Sequence, residues 1–166
     1  MQKYRKLARL PYAAEQVFEL LLDVESYPEF VPGWHSVLIR QRGGNTLSVE
    51  QVLRIGPLSW RFTSTATFER PTRITIESTA APFQRLVLDW RIKSTAGGSV
   101  VELDVACAFR SARLERLSRT MTPVMTDGII AAFERRAHER LAGIVSAMQP
   151  DESGIASGKA SGSKKC

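Results

Sequence analysis

The chain changes its apolar period once, and that change limits what it can fold into. Across residues 36–109 apolar side chains recur at every second position. From Leu114 onward they recur at every third and fourth. A period of two marks a strand with one dry face and one wet face. Spacings of three and four mark one face of an amphipathic helix. Several half-dry strands followed by one long half-dry helix bury their apolar faces most simply against each other, as an α+β layer.

The alternation is clearest where Leu58, Trp60, Phe62, Ser64, Ala66 and Phe68 interleave with Ser59, Arg61, Thr63, Thr65 and Thr67. Leu86, Leu88, Trp90 and Ile92 repeat it, as do Val101, Leu103, Val105, Cys107 and Phe109. Gly43-Gly44, Gly56-Pro57, Arg70-Pro71 and Gly97-Gly98 punctuate the strands as turns. Short connections predict an antiparallel meander of about six strands. The first strands are expected at 36–42, 46–55, 58–68 and 73–79. Ahead of them lie an expected strand at 3–10, a helix at 14–23 and a helical turn at 25–30. A sheet of this size curls, and curled around one helix it forms a grip with space inside.

The helix carries Leu114, Leu117, Met121, Met125, Ile129, Phe133, Ala137 and Leu141 on one side, with Arg135, Arg136, Glu139 and Arg140 on the other. Pro123 removes the hydrogen bond to the Arg119 carbonyl. The expected solution is a short helix over 112–119, then a long one capped by Thr122 with Pro123 in its first turn. Gly128 costs a helix interior about 1 kcal/mol. With Pro123 it predicts room or movement near the helix start, taken as the entrance to a pocket. From Gln149 onward the chain is Pro, Gly, Ser, Ala and Lys with little to bury. The predicted division is a folded domain over 1–148 and a disordered tail over 149–166.

Few residues suggest chemistry. Asp89, Glu102 and Asp104 fall on the wet side of the alternation and read as solvated sheet charges. His35 reads as structural and His138 as a surface residue. The two histidines and two cysteines are unclustered, which predicts no metal. There is no nucleophile elbow and no phosphate loop, so no catalytic residues and no enzyme are expected. Cys107 reads as a small core residue in a chain suited to a reducing cytoplasm. No apolar run is long enough to span a membrane. The formal net charge of +6 suits either an ordinary basic surface or attraction to RNA or acidic lipid.

Three strings carry a family resemblance. They are Ala14-Glu15-Gln16-Val17-Phe18-Glu19-Leu20 running on through Asp23-Val24-Glu25-Ser26-Tyr27-Pro28-Glu29-Phe30-Val31-Pro32, then Pro82-Phe83-Gln84-Arg85-Leu86 with Trp90, then Asp127-Gly128-Ile129-Ile130-Ala131-Ala132-Phe133-Glu134-Arg135-Arg136-Ala137. Over about residues 3 to 145 the chain resembles the coenzyme Q-binding START-domain family, polyketide cyclase/dehydrase-like, which includes ribosome association toxins. It departs in one place. The family often has Trp-Cys after the last proline, where this chain has Gly33-Trp34.

The resemblance implies a helix-grip fold (START/Bet v 1-like) and a bound ubiquinone or similar isoprenoid lipid, with no other cofactor. The ligand wall is expected from Phe30, Trp34, Val52, Trp60, Phe62, Phe83, Leu88, Trp90, Val105 and Phe109, facing Met121, Met125, Ile129 and Phe133. Each buried CH₂ contributes roughly 0.8 kcal/mol, so one five-carbon unit gives about 3–4 kcal/mol before ordering costs. The expected role is delivery of ubiquinone to the respiratory chain by a cytoplasmic protein in peripheral contact with an anionic inner membrane. Two alternatives stand beside it. One is a ribosome-associated toxin-like protein that binds the large subunit and blocks subunit association; no DNA partner is expected on any of these readings. The other is a polyketide aromatase/cyclase, for which His35, Gln51 and Arg54 are the only polar candidates.

Overall fold

The computed structural model describes residues 1–148, with side chains through Gly143. The predicted tail over 149–166 lies outside the described residues. Seven strands form one antiparallel sheet: β1 (Gln2–Leu10), β2 (Trp34–Arg42), β3 (Thr46–Ile55), β4 (Leu58–Glu69), β5 (Arg73–Ser78), β6 (Phe83–Thr95) and β7 (Gly98–Phe109). Their order across the sheet is β1-β7-β6-β5-β4-β3-β2. Strands β2 to β7 are the meander that the turn signals predict. β1 closes on the last strand, from Gln2 opposite Cys107 to Leu10 opposite Ser99.

Helices α1 (Ala14–Leu22) and α2 (Tyr27–Phe30), joined by a 3-10 turn, link β1 to β2. Helix α3 (Ala112–Met148) lies on the inner face, chiefly against β1 and β7. The sheet therefore wraps partly around α3. This is the helix-grip arrangement.

Pro123 does not divide α3, which runs unbroken from Ala112 to Met148. The expected break between 119 and 122 is thus corrected. A proline inside a helix costs about 3 kcal/mol through the lost hydrogen bond and the clash of its ring, but the turns on both sides are anchored. Ser118, Thr122 and Thr126 are buried toward the sheet, and Ile129 and Ile130 enter the core. Thr126 Oγ1 donates to the Thr122 carbonyl at 2.7 Å, so its polar group is satisfied within the helix.

Two of the three strings that carry the family resemblance meet in space. Tyr27 packs against Phe133 with ring centroids 5.1 Å apart, and Phe30 packs against the same ring at 5.1 Å. Arg136 donates to Glu29 at 2.6 Å while its guanidinium lies 4.7 Å from the centre of the Phe30 ring. Tyr27 donates its hydroxyl to the Leu21 carbonyl. Burial, with Asp23 nearby, holds that phenol neutral far above the usual tyrosine range. Gly128 belongs to this clasp. A Cβ there would meet only Pro32 Cγ, at 3.8 Å. The glycine lies beside α2 and not at an entrance.

The outer face carries an ion-pair ladder across β1, β7, β6 and β5. Arg5 grips Asp104 at 2.6 Å, and Arg91 reaches Asp89, Glu102 and Asp104. Asp89 departs from the solvated reading. It lies on the outer face, yet only 6% of it is exposed, because Arg73 holds it at both oxygens (2.8 and 3.0 Å) and Thr75 donates a third bond. Burial alone would push its carboxyl up. The hydrogen bonds and charge of Arg73, then the charge of Arg91, outweigh that and hold it below the usual carboxylate range.

The folded pKa of Asp89 therefore lies below the unfolded one. Its stabilisation is present above about pH 4 and is lost as pH falls through the folded value. Asp89→Asn is expected to cost about 1–3 kcal/mol at pH 7 and to flatten the acid limb of the stability curve, read by urea unfolding between pH 7 and 3. Two glycines should separate cleanly in the same assay. Gly98 has φ +149°, and a Cβ there would lie 2.1 Å from the Leu10 carbonyl oxygen. Gly98→Ala should lose about 2–4 kcal/mol, whereas Gly128→Ala should gain up to about 1 kcal/mol.

Candidate ligand site

The interior is solid at one end and hollow at the other. At the solid end Trp90 packs on Phe133, centroids 5.0 Å apart, beside Phe18, Leu21 and Ile130. At the other end the sheet and the first half of α3 stand apart around an apolar cavity of about 70 Å³. Its walls come from β3 (Leu53, Ile55), β4 (Trp60), β6 (Phe83, Leu86, Leu88), β7 (Val105, Cys107, Phe109) and α3.

Strand parity decides which side chains reach it. Leu47, Val49, Gln51 and Leu53 share the inner face of β3. A bulge between Trp34 and Ser36 shifts the register of β2, and Trp34 turns inward opposite Leu53. Bulges commonly re-aim a side chain in this way. On α3 the wall is Leu114, Leu117, Met121, Met125 and Ile129, with Ser118, Thr122 and Thr126 between them at spacings of four. These short side chains leave room that a Leu or Phe would fill.

Of the fourteen residues expected at the ligand wall, Trp34, Trp60, Phe83, Leu88, Val105, Phe109, Met121, Met125 and Ile129 surround this cavity. Five do not. Phe30 and Phe133 form the clasp, and Trp90 fills the solid end. Phe62 lines a smaller neighbouring void. Val52 points the other way, between Ser36 and Arg61 of the adjoining strands, and its neighbour Leu53 takes the inward position. Leu86 and Cys107 share the parity of the expected Leu88 and Val105, Leu53 and Ile55 take the opposite parity to the expected Val52, and Leu114 and Leu117 extend the expected helix face; all six line the cavity and none is in the expected wall. Ser118, Thr122 and Thr126 were missed because a hydroxyl stripe does not read as an apolar wall.

Among the described residues the lining carries no charged side chain. Burial pushes the Cys107 thiol up to about 12, with Glu115 adding to it, so it lines the cavity as a neutral group. One polar cluster enters the interior from the sheet. Trp34 Nε1 donates to Gln51 Oε1 at 2.7 Å, and Gln51 Nε2 donates to Ser64 Oγ. His35 and Arg54, the other polar candidates, are exposed. The rim is mixed. Leu58 and Leu117 are exposed apolar residues; Arg54 on the β3–β4 hairpin and Arg113 and Arg116 in the first turns of α3 are exposed as well, whereas Arg61 is held by Glu50 at 2.6 Å.

With an antiparallel sheet gripping a long C-terminal helix over an apolar cavity, the decisive comparison is with the family described as polyketide cyclase / dehydrase and lipid transport. Residues 10–134 match it. The chain belongs to this family. The ribosome association toxin RatA of Rickettsia prowazekii is 26% identical to the chain over 143 residues, covering 84% of this chain and 98% of the toxin. The solution structure of the 18 kDa protein CC1736 from Caulobacter crescentus is 29% identical and superposes with a TM-score of 0.69, covering 86% of this chain and 99% of that one. The Zhui aromatase/cyclase from Streptomyces sp. R1128 shares the fold at a TM-score of 0.75 with 17% identity, covering 86% and 98%.

Filling the hollow tests whether it is the binding site of this family member. Val105→Phe places a ring in the cavity. It is expected to keep or raise thermal stability, since an apolar void costs about 24 cal/mol per Å³, and to abolish uptake of an apolar fluorescent probe. Undiminished uptake would remove the cavity from consideration.

Proposed function

We propose that the protein is a non-catalytic binder of an isoprenoid lipid, with ubiquinone or a related quinone as the ligand class, held between the sheet and the first half of α3. One observation carries this reading: the apolar faces of sheet and helix stand apart at the end bounded by the first half of α3, and the gap there is lined without charge. A lining of this kind offers burial and no general acid or base.

The gap of about 70 Å³ is smaller than the roughly 300–1,000 Å³ of typical ligand sites, so binding requires widening. The lining supports that. Met121 and Met125 are unbranched and repack readily, and Pro123 between them leaves α3 one backbone bond short. Outward movement of the first turns of α3 would open the mouth between Leu117 and the β3–β4 hairpin. The apolar and arginine side chains on that rim suit contact with an anionic lipid surface, where such a ligand resides. Delivery of the quinone to the respiratory chain would follow from that exchange. No described helix is long and apolar enough to cross a membrane.

A second reading has its own support. Relatives named ribosome association toxin match over most of both chains, and Arg113, Arg116 and Arg119 stand exposed along α3. Arg113 lies in the first turn of α3, where a positive charge opposes the helix dipole, so its placement does not serve helix stability. Binding to the large ribosomal subunit is the function this favours.

One preparation separates the two. Native purification followed by organic extraction and mass spectrometry is expected to find an isoprenoid quinone in stoichiometric amount. An empty protein that also takes up no added quinone would overturn the carrier reading. Cosedimentation with large subunits that weakens steeply with salt and is lost in Arg113→Glu/Arg116→Glu would establish the second.

A further inference from the structure

The interior has one polar feature that packing does not explain. Gln51 and Ser64 are 6% and 4% exposed, on inner strand faces otherwise built from Val49, Leu53, Phe62 and Ala66. The orientation of their hydrogen bonds is fixed from one end. The Trp34 indole N–H can only donate, so the atom of Gln51 facing it at 2.7 Å must be the carbonyl oxygen. The Gln51 amide nitrogen therefore faces Ser64 and donates, and Ser64 Oγ accepts. The Ser64 hydroxyl hydrogen must point elsewhere. Among the described residues the bond from Gln51 is the only one the Ser64 hydroxyl makes. The second amide hydrogen of Gln51 likewise has no acceptor there.

A buried donor without an acceptor costs about 1–3 kcal/mol. Both donors border a void of about 20 Å³ whose walls include Trp34, Leu86 and Leu88, and those three residues also line the main cavity. Those side chains stand between the two spaces, so the widening that ligand binding requires is also what would bring a ligand atom to Ser64. Trp90 makes an instructive contrast. Its buried indole N–H also lacks an acceptor, but the void beside it is about 10 Å³, too tight for a ligand atom with its substituents.

We propose that Ser64 and Gln51 form a carbonyl-recognition point at the inner end of the cavity, selecting apolar ligands with a neutral ketone or quinone head. This rests on the carrier reading and names the residues that would read the quinone head. The site offers donors and no charge. A hydrocarbon would leave the donors unpaired. A carboxylate or phosphate would enter an interior lined without any cation, at a cost of several kcal/mol. A neutral carbonyl supplies the missing acceptor and adds no unmatched donor. On the far side Ser64 and Leu86 also border a polar cleft on the outer face with Thr63, Thr65, Glu77 and Ser78, so water entering there is the competing acceptor.

The test uses the full chain and three probes: a decyl-trimethyl-benzoquinone, the matching decyl-trimethylbenzene without carbonyls, and decanoate. Each is measured by displacement of an apolar fluorophore from the wild type and from Ser64→Ala. The wild type is expected to bind the quinone about tenfold tighter than the hydrocarbon, the worth of one such hydrogen bond, and decanoate weakest. Ser64→Ala should lose that preference and keep its hydrocarbon affinity, which also shows that the variant is folded. The carbonyl stretch of the bound quinone should lie lower in the wild type than in Ser64→Ala. Equal affinity for quinone and hydrocarbon, or an unchanged preference in Ser64→Ala because water serves the hydroxyl, overturns the inference and leaves the carrier reading standing. Binding of none of the three overturns both.

Discussion

The structure depends on an uneven contact between the sheet and α3. At one end Trp90, Phe133, Tyr27 and Phe30 interlock edge to face, and the clasp of Glu29 on Arg136 closes over them. At the other end the same two surfaces diverge. Large rigid side chains with specific packing geometry fix the helix at the first end. That anchoring allows the second end to remain unfilled without loss of the fold. A sheet and helix packed uniformly would hold no guest, and a pair loose along its whole length would not hold a single structure.

This division reassigns the residues by which the family is recognised. The strings at 23–32 and at 127–137 meet each other across the clasp, not across the cavity. What makes the chain recognisable is largely what holds the grip shut. Several residues that face the hollow, such as Leu53, Val105 and Thr122, lie outside those strings, whereas Phe83, Leu86 and Ile129 belong to them and line the cavity. Shared fold with an aromatase/cyclase at 17% identity therefore says little about chemistry, and the uncharged lining here is this chain's own.

Charge is arranged with the same asymmetry. Over β1, β7, β6 and β5 the outer face is knitted by Arg5, Arg73 and Arg91 onto Asp89, Glu102 and Asp104. Those arginines are spent on structure. Arg54 on β3 and Arg113 and Arg116 at the start of α3 are exposed and are among the charges an anionic partner would meet.

By itself the sequence determined the strands, their order along the meander and the long helix, because a period of two and a spacing of three to four are properties of neighbouring residues. It also determined most of the inward set, through the parity that places Trp60, Leu88, Val105 and Phe109 on one side. Three things were decided only by tertiary structure. Continuity of α3 through Pro123 was one, since the penalty is local while the packing of Thr122 and Thr126 that outweighs it comes from the sheet. The burial of Asp89 on a nominally wet face was another, because its arginine partners lie on other strands or two residues away on its own. The last was which inward residues touch each other and which face empty space, as with Phe133 and Met125 on one helix face. Periodicity reports the direction of a side chain, but the distance across to its neighbour depends on how the sheet curls and where the aromatic clasp pins the helix.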